Sequence, residues 1–164
     1  MNKAVFDPAR KKRHGSRSAA RLGAVQALYQ ASATGEGGDL VVDEFLRLRL
    51  GREIDGDLYK DADIAFFTDL VHGVLQRQAA VDRALTSALD ANWPLDRLEA
   101  IIRAMLQAGT YELLARPDVP EKVVIDEYVD IAHAFYGGSE PGFVNGVLDR
   151  IVKKLARRQA GCPR

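Results

Sequence analysis

Side chains able to make or break covalent bonds are few and scattered in this chain. His14, His72 and His133 have no second histidine or cysteine at ligand spacing, so no zinc site is expected. His72 follows a core valine on a helical stripe and reads as a satisfied or solvent-facing side chain. Two carboxylate groups, Asp61/Asp63 and Asp126/Glu127/Asp130, resemble acid–base pairs. Acids in the first turn of a helix complement its dipole, and that reading needs no catalysis. Gly35-x-Gly37-Gly38 and Gly137-Gly138 lack the Lys-Ser/Thr of a phosphate-binding loop and follow no strand, so they are read as helix terminators. Cys162, the single cysteine, has no predictable base beside it. It excludes a disulfide framework and fits a reducing, cytoplasmic setting. No enzyme is expected, and no cofactor or metal.

Binding chemistry is more legible. Residues 1–21 carry Lys3, Arg10, Lys11, Lys12, Arg13, Arg17 and Arg21 against the one acid Asp7. Residues 150–164 carry six basic side chains and no acid, whereas the 128 residues between carry 10 basic and 22 acidic ones. A formal net charge of zero therefore conceals basic ends on an acidic body. Such ends suit a polyanion, and a solubility tail fits them equally well. Arg17 and Arg21 stand one helical turn apart and would continue the arm's charge onto a rigid face, where guanidinium groups pair with phosphates. Tyr29 follows two turns later, about 40° off that line. It could stack on an unpaired base or cover the edge of the core beside Leu28. Arm, helical arginines and aromatic platform together suit single-stranded nucleic acid better than duplex. Lys153, Lys154, Arg157 and Arg158 are assigned first to the dipole of the last helix.

These residues need a helical frame. The chain is 164 residues long, 47% apolar and 28% charged, enough for a core without staples. Its longest stretch without Asp, Glu, Lys or Arg, Leu22 to Gly35, is too short and too polar to cross a bilayer, and no secretory signal is recognised. Residues 1–15 lack apolar periodicity and read as a flexible basic arm, 16–155 as one helical domain, and 156–164 as a basic tail. Within the domain, two helical groups are expected at about 16–91 and 95–155. Ser16 should cap a first helix through Ala20, Ala24, Leu28 and Ala31, and a second, beginning near Asp43, should close at Gly51. Ile64, Phe67, Val71, Val74, Val81 and Leu85 predict one long third helix from about Lys60 to Leu89, with Gln78 as the only interruption of its stripe. A fourth should run from about Asp96 to Leu114. A fifth should bury Val124, Tyr128, Ile131 and Phe135. The last should begin after Pro141 and bury Val144, Val147, Leu148, Ile151 and Leu155. Without β alternation or an internal repeat, the class is all-α, six to seven helices in two packed groups. Asn145-Gly146 in the last helix reads as a close-packing device.

Five motifs in register resemble the NusB family. They are Arg21-x-x-Ala24-Val25-Gln26-Ala27-Leu28-Tyr29; Phe67-x-Asp69-Leu70-Val71-x-Gly73-Val74; Tyr111-Glu112-Leu113; Asp118-Val119-Pro120-x-Lys122-Val123-x-Ile125-x-Glu127; and Phe143-Val144-Asn145-Gly146-Val147-Leu148-Asp149. The resemblance implies two helical subdomains and a non-enzymatic factor. Such a factor binds the boxA element of ribosomal RNA leader transcripts together with NusE, a small-subunit ribosomal protein, in the antitermination complex of RNA polymerase. By position it implies RNA contacts at Arg17, Arg21, Tyr29 and the stretch from Ser139 to Phe143, with Arg10, Lys11, Lys12 and Arg13 supplying the arm. It implies NusE contacts around the fourth helix, at Arg97, Leu98 and Ile102. Ile102 stands where the family commonly carries glutamate, and Arg17-Ser18-Ala19-Ala20 where it often carries consecutive arginines. A homodimer covering the RNA face, a relationship to the NusB-like domain of ribosomal RNA cytosine methyltransferases, and a protein–protein adaptor are the alternatives; these 164 residues are expected to hold no methyltransferase catalytic unit beside the helices.

Overall fold

The computed structural model describes residues 16–50 and 62–161. The arm expected at 1–15, the start of the long third helix and Cys162 lie outside these. Seven α-helices follow in order: α1 (Ser16–Thr34), α2 (Gly38–Leu48), α3 (Ile64–Gln76), α4 (Gln78–Ala88), α5 (Ala100–Ala115), α6 (Glu121–Phe135) and α7 (Glu140–Ala160). A 3-10 turn, Leu95–Arg97, precedes α5. No strand occurs among the described residues, so the all-α expectation holds.

The long third helix is two. Arg77, at φ −109° and ψ 23°, closes α3 by donating its backbone N–H to the Gly73 carbonyl and opens α4. The break falls beside Gln78, where the apolar stripe is interrupted. The chain also leaves helical geometry at Leu98, so α5 starts at Ala100 rather than Asp96. α2 begins at Gly38, earlier than the Asp43 start expected, and α7 runs on to Ala160, through part of the supposed tail.

α5 is the hub: it packs against α1, α3, α4, α6 and α7. Its Ala104, Met105, Leu106 and Ala108 are almost fully buried. Small residues let the helices cross closely. A β-carbon built on Gly73 of α3 would overlap the Tyr111 ring of α5, so only glycine fits there. α1 is small-sided and buried almost all round, through Ala19, Ala20, Gly23, Ala24, Val25, Ala27 and Leu28. Gly146 differs from the close-packing expectation. Nothing lies within 4 Å of a β-carbon placed there.

Candidate nucleic-acid interface

The two helical arginines do share a face, but it is turned largely inward. Arg21 is 3% exposed, and its Nε and Nη2 donate to the two Glu112 carboxylate oxygens, each at 2.9 Å. Tyr128 donates its hydroxyl to Glu112 at 2.5 Å, and Glu127 stands 3.8 Å from Arg21 Nη1. Burial works against the Arg21 charge, but the Glu112 hydrogen bond and charge outweigh it and raise its pKa. Burial first and Glu112 next push the Tyr128 phenol well above its ordinary range. Arg21 is thus not the exposed phosphate contact expected beside Arg17. It is a buried, forked ion pair holding α1 to α5.

Arg17 keeps 45% of its side chain exposed. Its guanidinium lies 4.7 Å from the centre of the Phe66 ring, which Arg21 and Arg116 also approach, at 5.0 and 5.1 Å. Asp63 and Asp118 stand 3.8 Å from Arg17, longer than hydrogen-bonded ion pairs. Asp118 is committed to Arg116, which holds it by two bonds of 3.0 Å and lowers its pKa. Arg116 also donates to Asp69, which accepts the Tyr111 hydroxyl at 2.7 Å. Burial, then Asp69, push the Tyr111 pKa to about 12. Of the carboxylates read from sequence as dipole partners, Asp63 does stand at a helix start, Asp61 lies outside the described residues, and Asp126, Glu127 and Asp130 fall beyond the first turn of α6. Asp63 caps α3 by accepting the Phe66 N–H. Glu127, beyond the first turn of α6, accepts the Ser18 hydroxyl.

Tyr29 is 44% exposed and lines an open groove of about 700 Å³ with Gln26, Gln30, Arg49, Phe135 and Tyr136. Ser139 and Phe143 line a second, of about 510 Å³, with Trp93, Arg97 and Glu99. Glu99 borders both, so residues 114 positions apart converge on adjoining surfaces. Arg97, Leu98 and Ile102, expected at a NusE surface, sit in the second groove beside the RNA candidates rather than apart from them. Leu98 and Ile102 are 8% and 5% exposed and form its floor, so the contacts expected of them are not surface handles. The accessible groups on that rim are Arg97 and Trp93, the latter 58% exposed. Neither Trp93 nor Tyr136 is among the site residues read from the sequence. The buried Tyr136 hydroxyl has no hydrogen bond of ordinary geometry, and its pKa is raised by burial and then by the nearby Glu99 carboxylate. An aromatic pair flanking a helix end, Phe135-Tyr136, was the signal for this wall.

Among the described residues no group of three or more His, Cys, Asp or Glu side chains could hold a metal ion, and no helix is long and apolar enough to cross a membrane.

Comparison with known proteins agrees with this architecture. The NusB family model matches residues 18–153. The transcription antitermination protein NusB of Bradyrhizobium sp. (strain ORS 278) is 50% identical over 145 residues, covering 88% of this chain and 86% of its own. That of Agrobacterium fabrum is 52% identical over 139 residues, covering 85% and 84%. Among solved structures, T. maritima NusB superposes with a TM-score of 0.69 at 30% identity, covering 85% of this chain and 92% of that one. A structure described as antitermination factors NusB and NusE in complex with dsRNA also gives 0.69, at 24% identity over 85% and 97%.

Proposed function

The chain belongs to the NusB family and is a transcription antitermination factor, not an enzyme, and we propose that it binds boxA-type single-stranded RNA of ribosomal RNA operons together with NusE. The observation that carries this reading is the meeting of the Tyr29 and Phe143 grooves at Glu99. Two aromatic rings at the edges of adjoining grooves offer stacking positions for successive unpaired bases, and stacking tolerates a strand whose phosphates are held elsewhere. The phosphate contacts are assigned to Arg10, Lys11, Lys12, Arg13 and half-exposed Arg17, with Ser139 offering a hydroxyl; Arg21 is removed from this set and made a positioning residue. NusE is assigned to the Trp93–Arg97 rim of the second groove, beside the RNA. A solved structure of the same fold, described as NusB and NusE in complex with dsRNA, supports NusE as that partner. The assembly acts in the cytoplasm, within the antitermination complex of RNA polymerase.

The test is a salt series. A boxA-like RNA and a scrambled RNA are titrated against the full chain and against a chain lacking residues 2–15, which keeps α1 whole. The full chain should prefer the boxA-like RNA, with an affinity that falls steeply with salt. Removing the arm should flatten that slope by about 0.7 for each phosphate the arm had neutralised. Equal slopes and affinities for the two chains would favour an adaptor with a solubility tail.

A further inference from the structure

We propose that α7 is a second, sequence-independent track for nucleic acid, carrying the phosphate backbone away from Phe143 toward the C-terminal end of the helix. This rests on the RNA-binding reading above and extends the RNA path beyond the residues assigned there.

At 3.6 residues per turn, Phe143, Arg150 and Arg157 follow one line along the helix, seven residues apart. Lys153, Lys154 and Arg158 flank that line, so all five basic side chains fall within about 140° of arc. From Arg150 to Ala160 there is no acid. Arg150, Arg157 and Arg158 are exposed, and none makes an ion pair or side-chain hydrogen bond among the described residues. Lys153 pairs with Asp149 at 2.8 Å and Lys154 bonds the Ser87 carbonyl at the end of α4, so the helix is anchored while the arginines stay open.

The helix dipole accounts for only part of this. Its influence fades within the last turn, which holds Arg157 and Arg158. Arg150 and Lys153 lie two to three turns from the end. The spacing also places like charges three or four residues apart along the stripe, which disfavours a helix. Elsewhere on the surface the same spacing is used to opposite effect, as in the Asp43–Arg47 pair of α2. A row of phosphates relieves the repulsion that a mixed-sign face would have avoided.

Gly146 lies on this face between Phe143 and Arg150. Its missing side chain serves no contact inside the protein, since a β-carbon there would meet open space. Bare helix at that point leaves room for a strand to pass closely from the aromatic ring to the arginines.

The experiment uses the full chain and two kinds of RNA: a short boxA-like oligonucleotide, and the same element extended by an arbitrary sequence at one end or the other. The wild-type chain should bind one extended RNA more tightly than the short one, whatever the added sequence, because phosphate contacts carry no sequence information. The triple variant Arg150→Gln, Arg157→Gln, Arg158→Gln should bind the short oligonucleotide as wild type does and lose the gain from extension. Its salt slope on the extended RNA should fall by about 2, at about 0.7 per phosphate. Gly146→Leu should cut the same gain in a protein that remains folded by circular dichroism. No gain from extension at either end, or equal loss by the triple variant on both lengths, would overturn the track. Failure of the wild type on the short oligonucleotide alone, with stripe-dependent binding of the extended RNA, would overturn the boxA reading and leave the track standing. No RNA binding at all overturns both.

Discussion

Arg21 and Glu112, 91 residues apart in sequence, meet through two parallel hydrogen bonds of 2.9 Å in a space almost closed to solvent. Removing one partner of such a pair strands the other charge. Arg21→Ala should lower stability by about 3–5 kcal/mol, against about 0.5 kcal/mol for an exposed helical arginine. Arg21→Lys should recover only part of it, because an ammonium cannot present the fork. Chemical denaturation measures both. A near-neutral Arg21→Ala would place the guanidinium at the surface.

Tyr111 makes stability depend on pH at the alkaline end. Its pKa is raised by burial and by the Asp69 hydrogen bond, from 10.0 to about 12. The unfolded chain ionises first, so this contribution is complete below pH 10 and is lost as pH rises through 12. The loss across that interval is on the order of 2 kcal/mol. Tyr128, raised in the same direction, adds to it. Denaturant midpoints between pH 8 and 12 should fall for the wild type and fall less steeply for Tyr111→Phe. Parallel profiles would separate the hydroxyl from the effect.

Two glycines should answer alanine in opposite ways. Gly73→Ala drives a methyl group into the Tyr111 ring and should cost at least about 1–3 kcal/mol. Gly146→Ala meets open space inside α7 and should stabilise by up to about 1 kcal/mol through helix propensity. Melting temperatures of the two variants decide the matter; a destabilised Gly146→Ala would restore the close-packing reading.

Trp93, the single tryptophan, is 58% exposed on the groove rim assigned to NusE. Addition of NusE should shift its emission to the blue and protect it from a soluble quencher. Unchanged emission in a complex verified by another probe would move the partner to a different surface.

The helices were readable because their apolar spacing is local. The break at Arg77 was marked by the interruption at Gln78, though a polar residue on a stripe does not reveal whether the chain bends or continues. Arg21 was misplaced for a different reason. Its i, i+4 relation to Arg17 is visible from neighbours, whereas Glu112 is brought to it only by the packing of α1 on α5. A clue was present in the small residues on either side, Ala19, Ala20, Gly23 and Ala24, since a helix so lined is buried on several faces. The convergence of Tyr29 with Phe143 depends likewise on tertiary packing, as does the placing of Leu98 and Ile102 beneath the groove instead of upon it.

Tyr29 stands on a helix hemmed in by α2, α3, α5 and α6 and pinned near its start by Arg21. In the proposed complex such a mount has little freedom left to surrender when a base arrives. The entropic cost of forming the complex therefore falls chiefly on the nucleic acid, and variants that loosen the helix without touching its aromatic ring should shorten the lifetime of the complex more than they slow its formation.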